Sequence, residues 1–380
     1  MTTIYLIRHA EAEGNLYRRI HGQYDSIITE RGKKQIAQLE KRFADVPVDF
    51  VYSSDLFRAR ATAGAVTARG LPLSATARLR EVAMGVWEDR TWGEVERFEP
   101  QQLDYFNNDP SRWTVEGCED FDSLQCRLTG AILDIAARHD GKTAAIVSHG
   151  TAIRAFVCGI YGVPPQEISR IKHYDNTAVT LLRIGNGNID IEYAGDNSHL
   201  TEELSTFAHQ KWWRENTTFD SSNLRFEPFS LENDAARYLE FRRDGGETGY
   251  GAAEGRESYW LERAHRHAAA HPRALSLALI YDTPAGLVEL DVESGADEKA
   301  GVIDFFYMLP EHRRTGIAVQ LLGQAVSVYR PLGREKLRMT VNALNEQTLG
   351  FCTKYGFEKT GEYTGDGGRY IVLELDITVR

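Results

Sequence analysis

From residue 1 to about 197, short apolar runs of strand length alternate with longer stretches in which apolar residues recur every three or four positions. That alternation is the signature of helices layered on a sheet. Strands are predicted at 3–7, 49–53, 143–148, 178–183 and 189–194, each apolar and bounded by turn or cap residues. One helix is predicted to begin at Thr29, a good N-cap, with Ile36, Leu39 and Phe43 on one face; another gathers Phe121, Leu124, Leu128 and Ile135. Between about 198 and 223 the periodicity lapses into a polar stretch holding Trp212-Trp213 and Asn216-Thr217-Thr218. This places a domain boundary there, with the tryptophans expected to pack the linker rather than bind a ligand. The pattern resumes at about 224, with strands near 275–281, 286–292, 301–309, 336–341 and 369–376 and helices near 231–242, 315–329 and 345–354. The Gly-rich stretch 245–255 reads as a mobile loop. The expected domains are therefore 1–200 and 224–380, joined by a linker over 201–223.

A length of 380 residues agrees with two cores rather than one. With 42% hydrophobic and 26% charged residues the composition is that of a globular protein, and a net charge of −11 makes nucleic acid and anionic membranes poor partners. Any anion site must be a local cluster of positive groups. Cys118, Cys126, Cys158 and Cys352 show neither zinc-ligand spacing nor disulfide density, so they read as reduced thiols. The apolar run 4–7 is too short for a signal-peptide core and far below the roughly 20 residues of a membrane span, which makes a cytoplasmic location the expectation.

Arg8-His9 stands where the first strand ends, the place at which open α/β sheets build their sites. A neutral imidazole is a competent nucleophile toward phosphorus, and a guanidinium can grip phosphoryl oxygens as a fork. The second strand-end histidine lies in Val147-Ser148-His149-Gly150-Thr151, at the start of a helix whose free N–H groups attract anions. A third strand end, Tyr52-Ser53-Ser54-Asp55, leads to Arg58. Two strand-end histidines beside arginines suit phosphoryl chemistry.

These residues resemble the histidine phosphatase superfamily, with its phosphoglycerate-mutase-like fold, over nearly all of residues 1–199. Leu6-Ile7-Arg8-His9-Ala10-Glu11 looks like its signature, residues 22–35 like its second segment with Asp25, Thr29, Gly32 and Gln35, and 196–200 like its usual ending. The resemblance implies that His9 takes up the phosphoryl group, which Arg8, Asn15, Arg58, His149 and Gly150 bind. It also implies that a carboxylic acid protonates the leaving group. Glu81, in Leu79-Arg80-Glu81-Val82-Ala83-Met84-Gly85-Val86-Trp87-Glu88, resembles that donor, with Glu88 the runner-up in a structural role. The short continuation into Trp87 looks like the phosphatase branch rather than the longer mutases. Two histidines and two arginines supply positive field without a metal or cofactor.

In the second half the strand over 302–309 runs into Pro310 and then Arg313-Arg314-Thr315-Gly316-Ile317-Ala318, a helix-opening loop suited to a pyrophosphate. Asn342-Ala343-Leu344-Asn345 follows a later strand and leads to Phe351-Cys352-Thr353-Lys354-Tyr355-Gly356-Phe357. Together these resemble the GNAT N-acetyltransferase superfamily over about 224–380. The resemblance implies acetyl-CoA as cosubstrate, with Leu309, Arg313, Arg314, Thr315, Gly316, Ile317 and Ala318 at its pyrophosphate and Asn345 facing its pantetheine arm. One departure is visible: Cys352 stands where the family carries a tyrosine acid, and Tyr355 falls at a normally apolar position. Cys352, Tyr355 and Asp304 are the candidate acid or base groups, with Glu289 a further carboxylate on a predicted strand.

The expected architecture is a three-layer α/β/α phosphoglycerate-mutase-like domain followed by a mixed α/β GNAT-like domain. The expected function is bifunctional: hydrolysis of a small phosphorylated metabolite and N-acetylation of a small amine. Two alternatives stay open, a phosphatase regulated by a catalytically silent acyl-CoA-binding module and a phosphoprotein phosphatase with a targeting domain.

Overall fold

The computed structural model describes residues 1–210, 220–245, 255–365 and 368–379. The tryptophan pair, Asn216-Thr217-Thr218 and nearly all of the Gly-rich stretch lie outside the described residues. The chain divides into two compact units. The first is Met1–Arg90 with Val95–Asp220, and the second is Ser221–Thr378 with the short piece Thr91–Glu94.

In chain order the first unit contains β1 (Thr2–Arg8), α1 (Glu13–Tyr17), α2 (Glu30–Phe43), β2 (Phe50–Ser53), α3 (Phe57–Thr67), β3 (Leu73–Ala75), the part of α4 (Trp92–Phe98) from Val95 on, α5 (Pro100–Asn108), α6 (Phe121–Arg138), β4 (Thr143–Ser148), α7 (Gly150–Ile160), β5 (Val179–Gly185) and β6 (Asn188–Asp196). The sheet order is β3-β2-β4-β1-β5-β6. The strands β3, β2, β4 and β1 run parallel, while β5 and β6 are antiparallel. Central β4 is buried from Ala144 to Ser148, as a strand covered on both faces must be, whereas edge strand β6 alternates exposed with half-buried positions. The Thr29 hydroxyl accepts the Gly32 N–H at 3.0 Å and starts α2 where expected, with Leu39 and Phe43 buried against Val51, Ala63 and Val147. All four apolar residues expected on the second helix are buried on α6.

The second unit contains β7 (Arg225–Pro228), α8 (Leu231–Gly245), α9 (Glu257–Ala270), β8 (Leu275–Ile280), β9 (Thr283–Asp291), β10 (Ala300–Met308), α10 (Val319–Tyr329), β11 (Lys336–Asn342), α11 (Glu346–Lys354), β12 (Glu358–Gly365) and β13 (Gly368–Asp376). Its sheet order is β12-β13-β11-β10-β9-β8-β7. Among the described residues only β10 and β11 pair in parallel in this sheet, and that pairing ends at Ile303 and Met339 although the strands continue to Met308 and Asn342. Beyond that point, among the described residues, β10 pairs with β9 and no longer with β11. No helix among the described residues is long and apolar enough to cross a membrane.

Candidate active sites

Parallel register assembles the first site. Arg8 pairs with Ser148 across β1 and β4, and the His9 N–H donates to the Ser148 carbonyl at 2.9 Å. The two residues after those strand ends are His9 and His149, with ring centroids 5.1 Å apart. Ser53 of β2 pairs with Val147, bringing the third strand end to the same edge and α3 with Arg58 to the same place. His9, Arg58 and His149 are buried.

The His9 Nδ1 lies 2.7 Å from the Ala10 carbonyl oxygen. A carbonyl only accepts, so Nδ1 carries the proton and the Nε2 lone pair is free. Burial, then the Arg58 and Arg8 charges, hold the His9 imidazole well below the usual histidine range; burial with Arg58, His9 and Arg8 does the same to His149. Both rings are thus neutral at pH 7. Arg58 keeps its charge although burial lowers it to about 10, because Glu81, Asp25 and Glu88 oppose the shift.

The arginines are held from behind. Arg58 donates to the Tyr24 carbonyl at 3.0 Å and the Gly22 carbonyl at 2.6 Å, and Arg8 donates to the Tyr174 carbonyl and stacks over Phe207. Among the described residues, the Nε atoms of Arg8 and Arg58 and both ring nitrogens of His149 are buried without a hydrogen-bond partner. Buried polar groups are rarely left so, and N–H groups gathered in this way are suited to an oxyanion.

Glu81 is half-buried beside them. Its carboxylate accepts the N–H groups of Val82 at 3.0 Å, Thr151 at 3.0 Å and Ala152 at 2.8 Å, the last two in the first turn of α7. Glu88 accepts from the backbone N–H groups of Gln23 at 2.8 Å and Met84 at 3.1 Å. Gly150 packs on Arg8: a Cβ there would meet its Nε at 3.1 Å. The Asn15 side-chain oxygen accepts the Ala12 N–H at 3.1 Å at the start of the short helix α1, so a phosphoryl oxygen would meet its amide N–H groups.

The signature residues around the site are mostly braces. Gln35 accepts the Glu11 N–H at 2.7 Å, Thr62 accepts the Ala10 N–H at 2.8 Å and Thr29 donates to the Glu11 carboxylate at 2.7 Å. Sequence reasoning missed Thr62 as well as Asn176, whose amide donates to the His9 carbonyl at 2.9 Å. It also placed 201–210 in a linker, whereas this stretch packs on the site. Gln35 donates to the Leu204 carbonyl, Thr206 donates to Glu11 at 3.0 Å, Phe207 lies under Arg8, and Gln210 donates to the Asn15 carbonyl. Polar composition signals solvent exposure only when the polar groups have no internal partner, and these have one.

In the second unit, the loop over 309–318 leads from β10 into α10. Arg314 and Gly316 adopt positive φ of 61° and 90°. Among the described residues, no partner takes the backbone N–H groups of 314–319. A run of free amides at a helix start is a cradle for a phosphate or pyrophosphate. Leu309 is fixed by its N–H to the Ala285 carbonyl, Ile317 is buried, and the Thr315 hydroxyl is turned back to the His312 carbonyl.

Several side chains expected at this site are engaged otherwise. The Arg313 guanidinium is tied to Asp244, the Met308 carbonyl and the Tyr307 ring, so its backbone rather than its charge shapes the loop. The Asn345 side chain accepts the Thr348 N–H at 3.0 Å and caps α11. Cys352 is fully buried and burial pushes its thiol up to about 12, which removes it as a useful proton donor. Asp304 is paired with Arg242 at 2.7 Å and with Arg263, and Glu289 with Arg242 at 2.6 Å and His267 at 2.8 Å. His267, Glu289 and Asp304 lie close enough together to ligate a metal, but the Arg242 guanidinium already bridges the two carboxylates and supplies that charge. Tyr355 remains half-buried beside Phe351, at 4.8 Å between ring centroids.

With this geometry in place the family follows. Residues 4–197 match the histidine phosphatase superfamily (branch 1), and the chain belongs to that superfamily; residues 232–357 match the acetyltransferase (GNAT) family, so one chain carries both domains. A curated relative, "Probable phosphoglycerate mutase GpmB" of Salmonella choleraesuis, is 31% identical over 207 residues, covering 53% of this chain and 95% of its own length. Among solved structures, Bacillus stearothermophilus YhfR is similar with a TM-score of 0.51 and 32% identity, over 52% of this chain and 99% of that one. The first unit is thus phosphoglycerate-mutase-like in fold, and the GNAT domain implies use of an acyl-CoA.

Proposed function

We propose that the first unit hydrolyses a small phosphate monoester through a phosphohistidine at His9, and that the second transfers acetyl from acetyl-CoA to a small amine. The observation that carries the first part is the His9 tautomer: Nδ1 bound to the Ala10 carbonyl leaves Nε2 free, among buried groups that lack partners. In this reading Nε2 attacks phosphorus while Arg8, Arg58, His149 and the amide of Gly150 hold the three oxygens, with Asn15 an added contact. The P–O bond to the alcohol breaks, and Glu81 gives its proton to the departing oxygen. Water then attacks the phosphohistidine, losing its proton to the Glu81 carboxylate, which restores the starting state. No step calls on a metal. The relative's name points to a mutase, but the short path from Glu81 into Trp87 favours water over a second alcohol as acceptor.

The catalytic limits proposed are 1–200 and 224–380, with 201–210 serving the first unit. In the second, the free amides over 314–319 would hold the pyrophosphate, and the stretches of β10 and β11 beyond their pairing the pantetheine arm. Tyr355 is the remaining candidate acid, and the CoA thiol, with a pKa near that of cysteine at about 8.5, leaves readily as thiolate. One observation favours a second reading. With Cys352 buried and Asp304 and Glu289 neutralised by arginines, the unit fits a silent acyl-CoA-binding module, which turnover on any member of an amine panel would eliminate.

The test is hydrolysis of p-nitrophenyl phosphate by the full chain in EDTA, with quenched-flow trapping of an acid-labile phosphoenzyme. Wild type is expected to turn over and to trap label, and His9→Ala to do neither. Full activity in His9→Ala would end the proposal.

A further inference from the structure

Glu81 can act on a leaving group only if its carboxyl is held to within a few tenths of an ångström, and its own helical turn does not do this. It follows the single 3₁₀ turn Ala77–Leu79, and Arg80 before it is extended, with φ −63° and ψ 160°. Such a segment relaxes unless its backbone is tied down from outside.

The tie is Arg127 on α6. Its Nη1 donates to the carbonyls of Arg78 and Arg80, both at 3.0 Å, and its Nη2 to the carbonyl of Glu81 at 3.3 Å. Its Nε and Nη2 also form a fork on the Glu119 carboxylate, at 2.7 Å and 2.6 Å. All five N–H groups of the guanidinium are thereby used, three on backbone carbonyls of the Glu81 segment and two on a carboxylate that fixes the plane of the fork. Glu119 is anchored in turn by its N–H to the Ala83 carbonyl at 2.9 Å, and Cys118 bridges to Met84. Gly85 packs so closely on this loop that a Cβ would sit 1.9 Å from the Glu116 oxygen. The Glu81 backbone is thus clamped on one side while its carboxylate meets the α7 amides on the other.

From this arrangement we infer that Arg127, locked by Glu119, is a positioning residue for the general acid. It touches no reacting atom and acts through Glu81. The inference rests on the reading of Glu81 as the acid. A misplacement of about 1 Å in such a group can cost on the order of 10²-fold in rate. In the phosphorylation step the loss falls on esters whose leaving oxygen needs a proton and spares those that leave as stable anions.

The experiment compares Arg127→Gln, Glu119→Gln and Glu81→Gln in the full chain, with the pre-steady-state rate of phosphoenzyme formation from p-nitrophenyl phosphate and from glycerol 1-phosphate, and inhibition by inorganic phosphate. This rate, not kcat, is the readout throughout, because Glu81 also takes the proton of the water that opens the phosphohistidine. All three variants are expected to lose about 10²-fold in this rate on the alkyl ester, to lose far less on the aryl ester, and to bind phosphate as wild type does. In the double variant Glu81→Gln/Arg127→Gln no further loss is expected, because the second residue works only through the first. Should Arg127→Gln fold poorly, Arg127→Lys, which keeps the charge without the fork, gives the same reading. An equal loss on both esters in Arg127→Gln, or additivity in the double variant, overturns the inference while leaving Glu81 in place. If Glu81→Gln itself shows no dependence on the leaving group, the acid assignment falls and the inference with it.

Discussion

The two carboxylate oxygens of Asp25 lie 2.9 Å and 3.1 Å from the backbone nitrogen of Phe57, the first residue of α3 and the neighbour of Arg58. Leu56 at the N-cap has no side-chain oxygen to offer, so a carboxylate from a distant loop performs the capping. The same loop supplies the Gly22 and Tyr24 carbonyls that hold the Arg58 guanidinium. Cap and grip are one unit.

Asp25→Ala is therefore expected to cost about 1 kcal/mol of stability, the usual worth of a lost cap. It should also weaken inorganic phosphate as an inhibitor by roughly tenfold, since one charge-assisted contact is loosened. Thermal unfolding and phosphate inhibition of p-nitrophenyl phosphate turnover check the two effects separately.

The acid side of the pH profile should reflect the depressed His9. With burial and two guanidinium charges favouring the neutral ring, pre-steady-state phosphorylation should show no inflection near pH 6.5, where a free histidine would lose its lone pair to a proton. A burst rate that halves near pH 6.5 would contradict this electrostatic account.

His267 titrates in the opposite sense. Its Nδ1 faces Glu289 at 2.8 Å and its Nε2 faces Asp291 at 3.4 Å, so two carboxylates favour protons on both nitrogens, and hydrogen bonding to Glu289 raises its pKa against the opposing effect of burial. Arg242 from α8, Arg263 and Arg266 from α9, and Asp304 from β10 complete the charged surroundings, with the Tyr238 hydroxyl bonded to Glu289. A raised folded-state pKa adds stability that is complete below about pH 6.5 and is lost as pH climbs through the folded value. Subtracting the unfolding curve of His267→Gln from that of wild type should leave a stabilisation that fades toward alkaline pH; a flat difference would refute it.

Gly316 offers a clean probe of the amide cradle. Nothing lies within 4 Å of a Cβ placed there, yet its φ of 90° is one that a side-chain-bearing residue resists. Gly316→Ala should weaken acetyl-CoA binding by roughly tenfold in calorimetry through the altered backbone alone. Phosphatase kinetics should not move.

Much of this was legible in the residues. The strand-end positions of His9 and His149 follow from apolar runs that stop just before them, and the parallel register of β1 and β4 turns that pattern into a ring separation of 5.1 Å. The start of α2 was readable because Thr29 is a cap with strong periodicity behind it, and the inward face of α6 because its apolar residues recur at helical spacing. What escaped notice lacked such signals. Strand β3 is three residues long and exposed throughout, β12 is exposed at almost every position, and α9 mixes arginines and histidines into its inward face to meet Glu289 and Asp304. The second-unit side chains were harder still. A motif locates the backbone of Arg313 and Asn345, but whether the side chain faces a ligand or an aspartate far away in the chain, as Arg313 faces Asp244, is a matter of packing.

The stretch over 201–210 bears on how the protein can be taken apart. Phosphatase activity assayed on a fragment ending at residue 200 would be measured on an enzyme stripped of the ring beneath Arg8, the hydroxyl on Glu11 and the amide on Asn15. The shortest piece able to report faithfully on the N-terminal chemistry ends no earlier than Gln210, so the joint between the two domains is also part of the first one's wall.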